Sequence, residues 1–174
     1  MKRFLIALIL LTLTLSLASC GSGVQSERDR LLALSDDELY ERIYFHNLIG
    51  MDGPEDSDAS EEQRLVYVLM EFESEVANGG LCQFFVNSSS ECAPYVSDAL
   101  EKVGAVNIQK RYDDFLAENG IDVNDLSSFK TDVLFIEQAE RYDFDSFDDR
   151  FYSDDDIQGL IVSYIREHID AFVK

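Results

Sequence analysis

The chain has 174 residues, of which 35 are acidic and 14 are basic, so its formal net charge is −21 at neutral pH. This charge repels nucleic acid and anionic lipid headgroups, and it attracts cationic proteins, polyamines and divalent cations. Aromatic and aliphatic residues occur throughout, which excludes a disordered acidic segment and predicts a folded domain. The charge has an alternative explanation in solubility alone, because a negative surface keeps many proteins monomeric.

The first twenty residues have the pattern of a lipoprotein export signal. Lys2 and Arg3 precede an apolar run from Phe4 to Leu17, and small residues then lead to Cys20. The run is too short for a comfortable transmembrane helix, and it ends in small residues rather than in a charged stop. We therefore expect cleavage before Cys20 and its modification with diacylglycerol and a further palmitate-type chain, which together anchor a protein stably.

This processing divides the chain into a signal peptide (residues 1–19), a lipid tether (20–26) and one acidic helical domain (27–174). The tether is small and polar, and it spans at most about 20 Å when extended. The expected location is the bacterial cell envelope, lipid-anchored and outside the cytoplasm. Loss of Lys2 and Arg3 with the signal would give the mature chain a net charge of −23.

Helical periodicity dominates the domain. Capping boxes at Ser35–Glu38 and Ser60–Gln63 predict two helices that end at Gly50 and near Gly79. Further helices are predicted over 94–103, 105–118 and 129–142, and a last one is opened by 153–156. Strand alternation and hairpin turns are missing from the sequence pattern, so the predicted fold class is all-α: a single compact domain of about six to seven helices.

Cys82 and Cys92 are the two cysteines that remain once Cys20 carries lipid. Outside the cytoplasm such a pair is a disulfide candidate, and closing so short a loop is worth roughly 2–3 kcal/mol in the chain-entropy model. The alternative is two buried, reduced thiols that pack as small apolar groups. A zinc site is not predicted, because neither histidine lies near a cysteine in the sequence.

An acidic segment with interleaved aromatic residues covers 143–156. It resembles a calcium loop but departs from that pattern at Phe147, Asp148 and Asp154, so no metal is predicted. We take the segment as a candidate acidic binding surface. The alternative is that its aromatic residues are core and that its last three acids stabilise the start of the final helix. The candidate residues are Asp143, Asp145, Asp148, Asp149, Asp154, Asp155 and Asp156.

Sequence signatures of hydrolases and of phosphate-binding loops are missing, and no catalytic residue or cofactor is predicted. The single histidine on the last helix, His168, lies on an apolar stripe, which is more typical of a packed side chain than of a catalytic one.

The segment 75–89 resembles the signature of the DMP-type bacterial DNA-mimic family, and weaker matches follow over 99–105, 147–152 and 164–168. The resemblance implies an acidic, mostly helical, dimeric domain whose carboxylates imitate a phosphate backbone and cover the DNA-binding face of a regulator. Carboxylates four residues apart on a helix can form such a charged row. The motif residues themselves are interpreted as structural. They are Asn78, Gly79, Gly80, Gln83, Phe84, Phe85 and Asn87.

A transcription regulator is cytoplasmic, whereas the signal directs this chain out of the cytoplasm, so that target is not carried over. The resulting hypothesis is a membrane-anchored acidic module that binds a basic protein or peptide, with an inhibitor or immunity-like role and no direct contact to nucleic acid. The alternative is an envelope lipoprotein with a structural or assembly role. A hydrolase comes third.

Overall fold

A computed structural model describes residues 26–130 and 135–174, and in these ranges the fold is all-α without strands, as predicted. The predicted signal peptide, Cys20 and the tether up to residue 25 lie outside these ranges. The helices are α1 (Glu27–Leu32), α2 (Asp36–Ile43), α3 (Glu61–Val86), α4 (Ala93–Val103), α5 (Val106–Asn119), α6 (Phe135–Ala139), α7 (Asp145–Asp148), α8 (Phe151–Asp154) and α9 (Ile157–Glu167). None of the helices in the described ranges is long and apolar enough to cross a membrane.

Both predicted capping boxes are confirmed. The Ser35 hydroxyl accepts from the Glu38 backbone N–H while the Glu38 carboxylate accepts from the Ser35 N–H, and Ser60 and Gln63 repeat this arrangement at the start of α3. Each box satisfies backbone donors that a helix start otherwise leaves unpaired. The first turns of α2 and α3 are therefore fixed by residues that are local in sequence.

Helix α3 is the centre of the fold, and it packs against α4, α7 and α9. Phe72, in the middle of α3, is fully buried. Its ring packs edge-on against the rings of Phe84 and Tyr112, with ring centroids 5.0 Å and 5.6 Å away. Phe147 and Phe151 from the acidic segment complete this cluster. The three phenylalanines of that segment, Phe144, Phe147 and Phe151, are thus core, which agrees with the alternative interpretation of 143–156, whereas Tyr152 is 56% exposed.

Several elements differ from the sequence prediction. Helix α1 was not predicted, because only six residues form it and a single residue, Leu31, is buried. After α2 the chain continues as a π-helical turn, Tyr44–Leu48. The helix predicted over 129–142 is represented by α6 alone, and residues 131–134 of it lie outside the described ranges.

Candidate binding site

The resemblance motif forms a kink that divides α3 into two parts. The φ angle of Gly80 is +78° with ψ at −180°, a region that side chains with a Cβ avoid. A Cβ at Gly80 would also collide with the carboxylate of Asp148, and one at Gly79 would collide with the Gln83 amide. Gly80 is therefore required by its backbone conformation and by close packing, whereas at Gly79, whose φ of −164° is extended, only the packing of the Gln83 amide opposes a side chain.

The polar motif residues tie the two parts of α3 together. Glu75 Oε2, before the kink, accepts hydrogen bonds from Gln83 Nε2 at 2.7 Å and from Asn87 Nδ2 at 2.8 Å. Phe84 and Phe85 after the kink are fully buried, and Asn78 is exposed. The amides of Gln83 and Asn87 thus join the two parts of α3 through one side-chain carboxylate.

Asp148 belongs to this kink and not to a binding surface. Its Oδ1 accepts from the Leu81 backbone N–H at 2.9 Å, and so it caps the second part of α3. Burial raises the pKa of Asp148, and the neighbouring charges of Asp145 and Asp149 raise it further. Its prediction as a surface acid is corrected, since the carboxylate is half-buried and points at the core helix.

Asp154 is likewise excluded from an open acidic surface. Only 6% of its side chain is exposed, and it forms ion pairs with Arg111 and with Arg150, the latter at 3.3 Å. The hydrogen bond from Arg111 lowers the pKa of Asp154. The guanidinium groups of Arg111 and Arg150 therefore neutralise the Asp154 carboxylate, although the sequence places it in a segment of high negative charge.

The next two acids are helix caps, but of different helices. Asp155 Oδ2 accepts from the backbone N–H groups of Asn107 at 2.9 Å and Ile108 at 3.0 Å, which are in the first turn of α5. Asp156 is the N-cap of α9 and accepts from Gly159 N–H at 3.1 Å. The sequence interpretation placed all three acids at the final helix, and this is correct for Asp156 alone.

The exposed remainder of the predicted surface is small. Asp143, Asp145 and Asp149 are exposed, and within the described ranges none of them forms an ion pair with a basic side chain. The segment 143–156 therefore keeps three of its seven predicted carboxylates free for a partner, with Asp156 exposed beside α9.

The predicted disulfide is corrected, because Cys82 and Cys92 are both free and buried. Cys82 lies in the field of Asp148, whereas Cys92 lies in the field of Glu71 and Glu91, so the two thiols occupy different surroundings in the core. Burial raises the pKa of Cys82 to about 11 and also raises that of Cys92. Both act as small apolar groups, as the alternative interpretation had it.

An acidic cleft of about 520 Å³ lies between α2 and α9, and the sequence analysis did not identify it. Its rim carries Asp37 and Glu41, which are exposed and one helical turn apart, and Asp36, which pairs with Arg166 at 2.7 Å. Within residues 26–130 and 135–174, no three or more His, Cys, Asp or Glu side chains are arranged so that they could hold a metal ion. The cleft is lined by Asp36, Asp37, Tyr40, Glu41, Asp156, Gln158, Gly159 and Val162.

A buried carboxylate lies directly behind this cleft. Glu73 of α3 is only 5% exposed. Its Oε1 accepts from the Tyr152 hydroxyl at 2.6 Å and from Gln158 Nε2 at 3.0 Å, and its Oε2 accepts from the Tyr40 hydroxyl at 3.0 Å. Tyr40 and Gln158 line the cleft on their other side. Three neutral donors thus hold Glu73, and within the described ranges no basic side chain pairs with it.

The hydroxyl groups of Tyr40 and Tyr152 remain protonated at physiological pH, and so both remain hydrogen-bond donors. Burial raises the pKa of Tyr40 above its usual range, and the charge of Glu73 adds to this effect. Burial and the hydrogen bond to Glu73 do the same for Tyr152. In sequence, the one signal for this site is a glutamate beside Phe72 on the apolar stripe of α3. An ionisable residue in that position is a functional-site candidate when it borders a cleft.

The cleft can accept a cation. Carboxylates on its rim and a buried carboxylate behind its wall produce a negative potential, which low-dielectric walls focus towards the opening. A lysine or arginine side chain fits a space of this size and could pair with Asp37 or Glu41. Anionic groups are repelled by such a lining.

Comparison with curated proteins and with solved structures found no significant match. The family model described as DMP19-like protein matches residues 57–168, which include the kink of α3, Glu73 and the acidic segment. This match covers more than half of the chain and agrees with the resemblance seen in segment 75–89. The chain therefore belongs to the DMP19-like protein family.

Proposed function

We propose that this protein is a membrane-anchored acidic module that binds a basic protein or peptide through the cleft between α2 and α9, in an inhibitor or immunity-like role. The DMP19-like family is not a known enzyme family. The partner is a cationic protein or peptide outside the cytoplasm, and it inserts a lysine or arginine side chain between Asp37, Glu41 and Asp156. Direct binding of nucleic acid is disfavoured by a charge of the same sign.

The observation that carries the proposal is Glu73, a buried carboxylate that lies behind an acidic rim and has no basic partner within residues 26–130 and 135–174. A buried charge costs stability unless it is compensated, and proteins tolerate such costs mainly at functional sites. The cationic side chain of a partner would supply the compensation that the described part of the chain does not.

The distribution of basic residues supports the same proposal. Apart from Arg30, each lysine and arginine of the described ranges binds a carboxylate or a backbone carbonyl of this chain; Arg64 and Lys130, for example, bind carbonyl oxygens. Most carboxylates have no such partner. The surface therefore offers negative charge to a partner and almost no free positive charge.

The anchor is proposed on the signal pattern that ends at Cys20. Replacing Cys20 by Ala should leave the precursor unprocessed or release the protein from the membrane fraction, because no acyl chain can be attached. Membrane fractionation and intact mass of the wild-type and Cys20→Ala proteins measure this. A wild-type protein found in the cytosol with an intact N-terminus would exclude the anchor.

The binding test uses a short lysine- and arginine-rich peptide and the association rate at increasing ionic strength. Electrostatically steered binding slows steeply as salt rises, because exposed charges are screened beyond about 8 Å at physiological salt. The double variant Asp37→Asn and Glu41→Gln should slow association several-fold and flatten its salt dependence. Circular dichroism checks that the helix content is unchanged.

A matched control is the double variant Asp143→Asn and Asp149→Asn, which removes two exposed charges from the acidic segment. It should affect association much less than the cleft variant. Equal losses in both variants would mean that net charge acts without a defined site. An association rate independent of salt would instead favour the alternative, an envelope lipoprotein with a structural or assembly role.

A further inference from the structure

Two large apolar side chains that are four positions apart in the sequence are exposed just after the end of α2. Phe45 is 56% exposed and Ile49 is 64% exposed. They belong to the π-helical turn Tyr44–Leu48 and the residue after it, whose backbone N–H donates to the Tyr44 carbonyl oxygen at 3.0 Å. A wider turn of this kind brings residues four apart close to one face, so both side chains point outward together.

The turn is held firmly, so this exposure is not caused by a frayed helix end. Leu48 is fully buried. Asn47 Nδ2 donates to the Phe172 carbonyl oxygen at 2.8 Å, and the Lys174 ammonium donates to the His46 carbonyl oxygen. The C-terminal turn of the chain therefore fixes the π-helical turn from one side.

This end of the molecule also has an unusual charge balance. Arg28, Arg30, Arg42 and Lys174 lie here, a third of the basic residues that follow Cys20. Arg30 and Arg42 line a groove beside Phe45 together with His46 and three glutamates. Positive and negative charges nearly balance in this groove, whereas the rest of the surface is strongly acidic.

The first described residue, Ser26, lies at this end of the molecule and is six positions from the proposed anchor at Cys20. The Ser26 hydroxyl accepts from the Asp29 N–H at 3.1 Å and caps α1. α1 contacts the C-terminal turn through the ion pair of Arg28 with Asp170 at 2.9 Å. Residues 20–25 can separate this end from a lipid at Cys20 by at most about 20 Å.

We propose that the end formed by α1, the π-helical turn and the C-terminal turn is a membrane-facing surface, with Phe45 and Ile49 inserted at the headgroup boundary of a phospholipid bilayer. The proposal rests on the lipid anchor proposed above. Arg30, which has no ion pair within the described ranges, and Arg42, whose pair with Glu27 spans 3.9 Å, extend to the lipid phosphates while their aliphatic stems cover the apolar side chains. The bilayer is thus a second, weak attachment that orients the domain.

A bilayer fits this surface better than a second copy of the chain does. Another copy brings a net charge of the same sign and of large magnitude, which opposes association. Phospholipid offers both an apolar layer for Phe45 and Ile49 and phosphates for the arginines. The surface also lies outside residues 57–168, so it is separate from what the family model matches.

The sequence makes a direct test possible because it contains no tryptophan. A chain that begins at Cys20, and so includes every described residue, is coupled through that thiol to maleimide-bearing lipid in zwitterionic phosphatidylethanolamine and phosphatidylcholine vesicles. Cys82 and Cys92 are buried and do not compete. Phe45→Trp then supplies the single tryptophan, and its emission should shift to the blue and be quenched by brominated lipid.

The matched control is Phe135→Trp, because Phe135 is also exposed, at 42%, but lies on α6. Its emission should remain that of a solvent-exposed indole and should resist quenching. Equal quenching of the two, or a solvent-like emission from Phe45→Trp on coupled vesicles, would overturn the membrane-facing surface. Chemical coupling keeps this test independent of the Cys20→Ala experiment, so a failed anchor and a failed surface are distinguished.

Discussion

At the scale of single residues, Gly80 holds the most demanding backbone position among the described residues. Its φ of +78° combines with an extended ψ, and the Asp148 carboxylate occupies the space that a Cβ would need. Gly80→Ala should therefore lower the free energy of unfolding by about 2–4 kcal/mol. Urea denaturation followed by circular dichroism measures this loss.

The control for Gly80→Ala is Gly104→Ala. Gly104 also has a positive φ, of +84°, but it lies in the ordinary left-handed region at the end of α4, and nothing would touch an added Cβ. Its substitution should cost about 1 kcal/mol, the left-handed penalty alone. Equal losses at the two positions would show that contact with Asp148 contributes nothing.

Residues such as Asp148 and Glu73 could not be assigned correctly from sequence. A carboxylate in an acidic, exposed-looking segment was taken as surface, yet its partner is the Leu81 N–H, 67 positions away. Glu73 likewise binds Tyr152 and Gln158 from distant parts of the chain. Sequence reasoning finds interactions between neighbours along a helix, and it has no access to a partner that only the tertiary fold supplies.

At the scale of the helices, the start of α5 depends on an acid from outside the helix. The N-cap residue Ala105 has no side-chain acceptor, and Asp155 provides one to the N–H groups of Asn107 and Ile108. Asp155→Ala should lower the free energy of unfolding by about 1–2 kcal/mol, since two backbone donors lose their acceptor. Thermal and urea unfolding both report this change.

Asp149→Ala is the matched control, because Asp149 is exposed and lies six positions earlier in the same acidic segment. Its loss should alter stability by less than about 0.5 kcal/mol. If Asp155→Ala were equally mild, the cap from Asp155 would not stabilise α5.

The helices show which parts of the fold are accessible from sequence. α2 and α3 begin at capping boxes whose two partners are three residues apart, and α4 and α5 end at Gly104 and Gly120, so these two starts and two ends were predictable. The ends of α2 and α3 were not, because α2 ends at Ile43 rather than Gly50 and α3 continues through the glycine kink to Val86. The cap of α5 and the short helix α1 depend on tertiary contacts instead. The kink of α3 depends on local sequence and on a tertiary contact. The two glycines predict a break in the helix, while the geometry of the kink depends on Asp148.

At the scale of the whole molecule, the excess of carboxylates acts on stability as well as on binding. Some ion pairs, such as that between Lys102 and Glu61, reduce the repulsion between carboxylates locally, but exposed pairs of this kind contribute little to the free energy of unfolding. Mutual repulsion among the remaining acids destabilises the compact state. Stability should therefore respond to any change that reduces negative charge, and acidification is the simplest.

The direction of the pH dependence follows from the carboxyl groups. Burial raises the pKa of Asp148 and of Glu71, so each contributes stability that is present at low pH and is lost as pH rises through its folded value. The pKa of Asp154 is lowered, above all by the Arg111 hydrogen bond, and this contribution is lost only as pH falls below the usual aspartate range. Stability should therefore be greatest at mildly acidic pH.

We accordingly expect the thermal unfolding midpoint of the wild type to rise as pH is lowered from 7 to about 5 and to fall again below about 4. In Asp148→Asn the amide oxygen can still accept from the Leu81 N–H, while the buried charge is gone. This variant should be at least as stable as the wild type at pH 7, and its midpoint should rise less towards pH 5. Midpoints from circular dichroism at several pH values measure both slopes. A wild-type midpoint that falls steadily from pH 7 to 5, or slopes that coincide, would contradict the assignment of the raised pKa to Asp148.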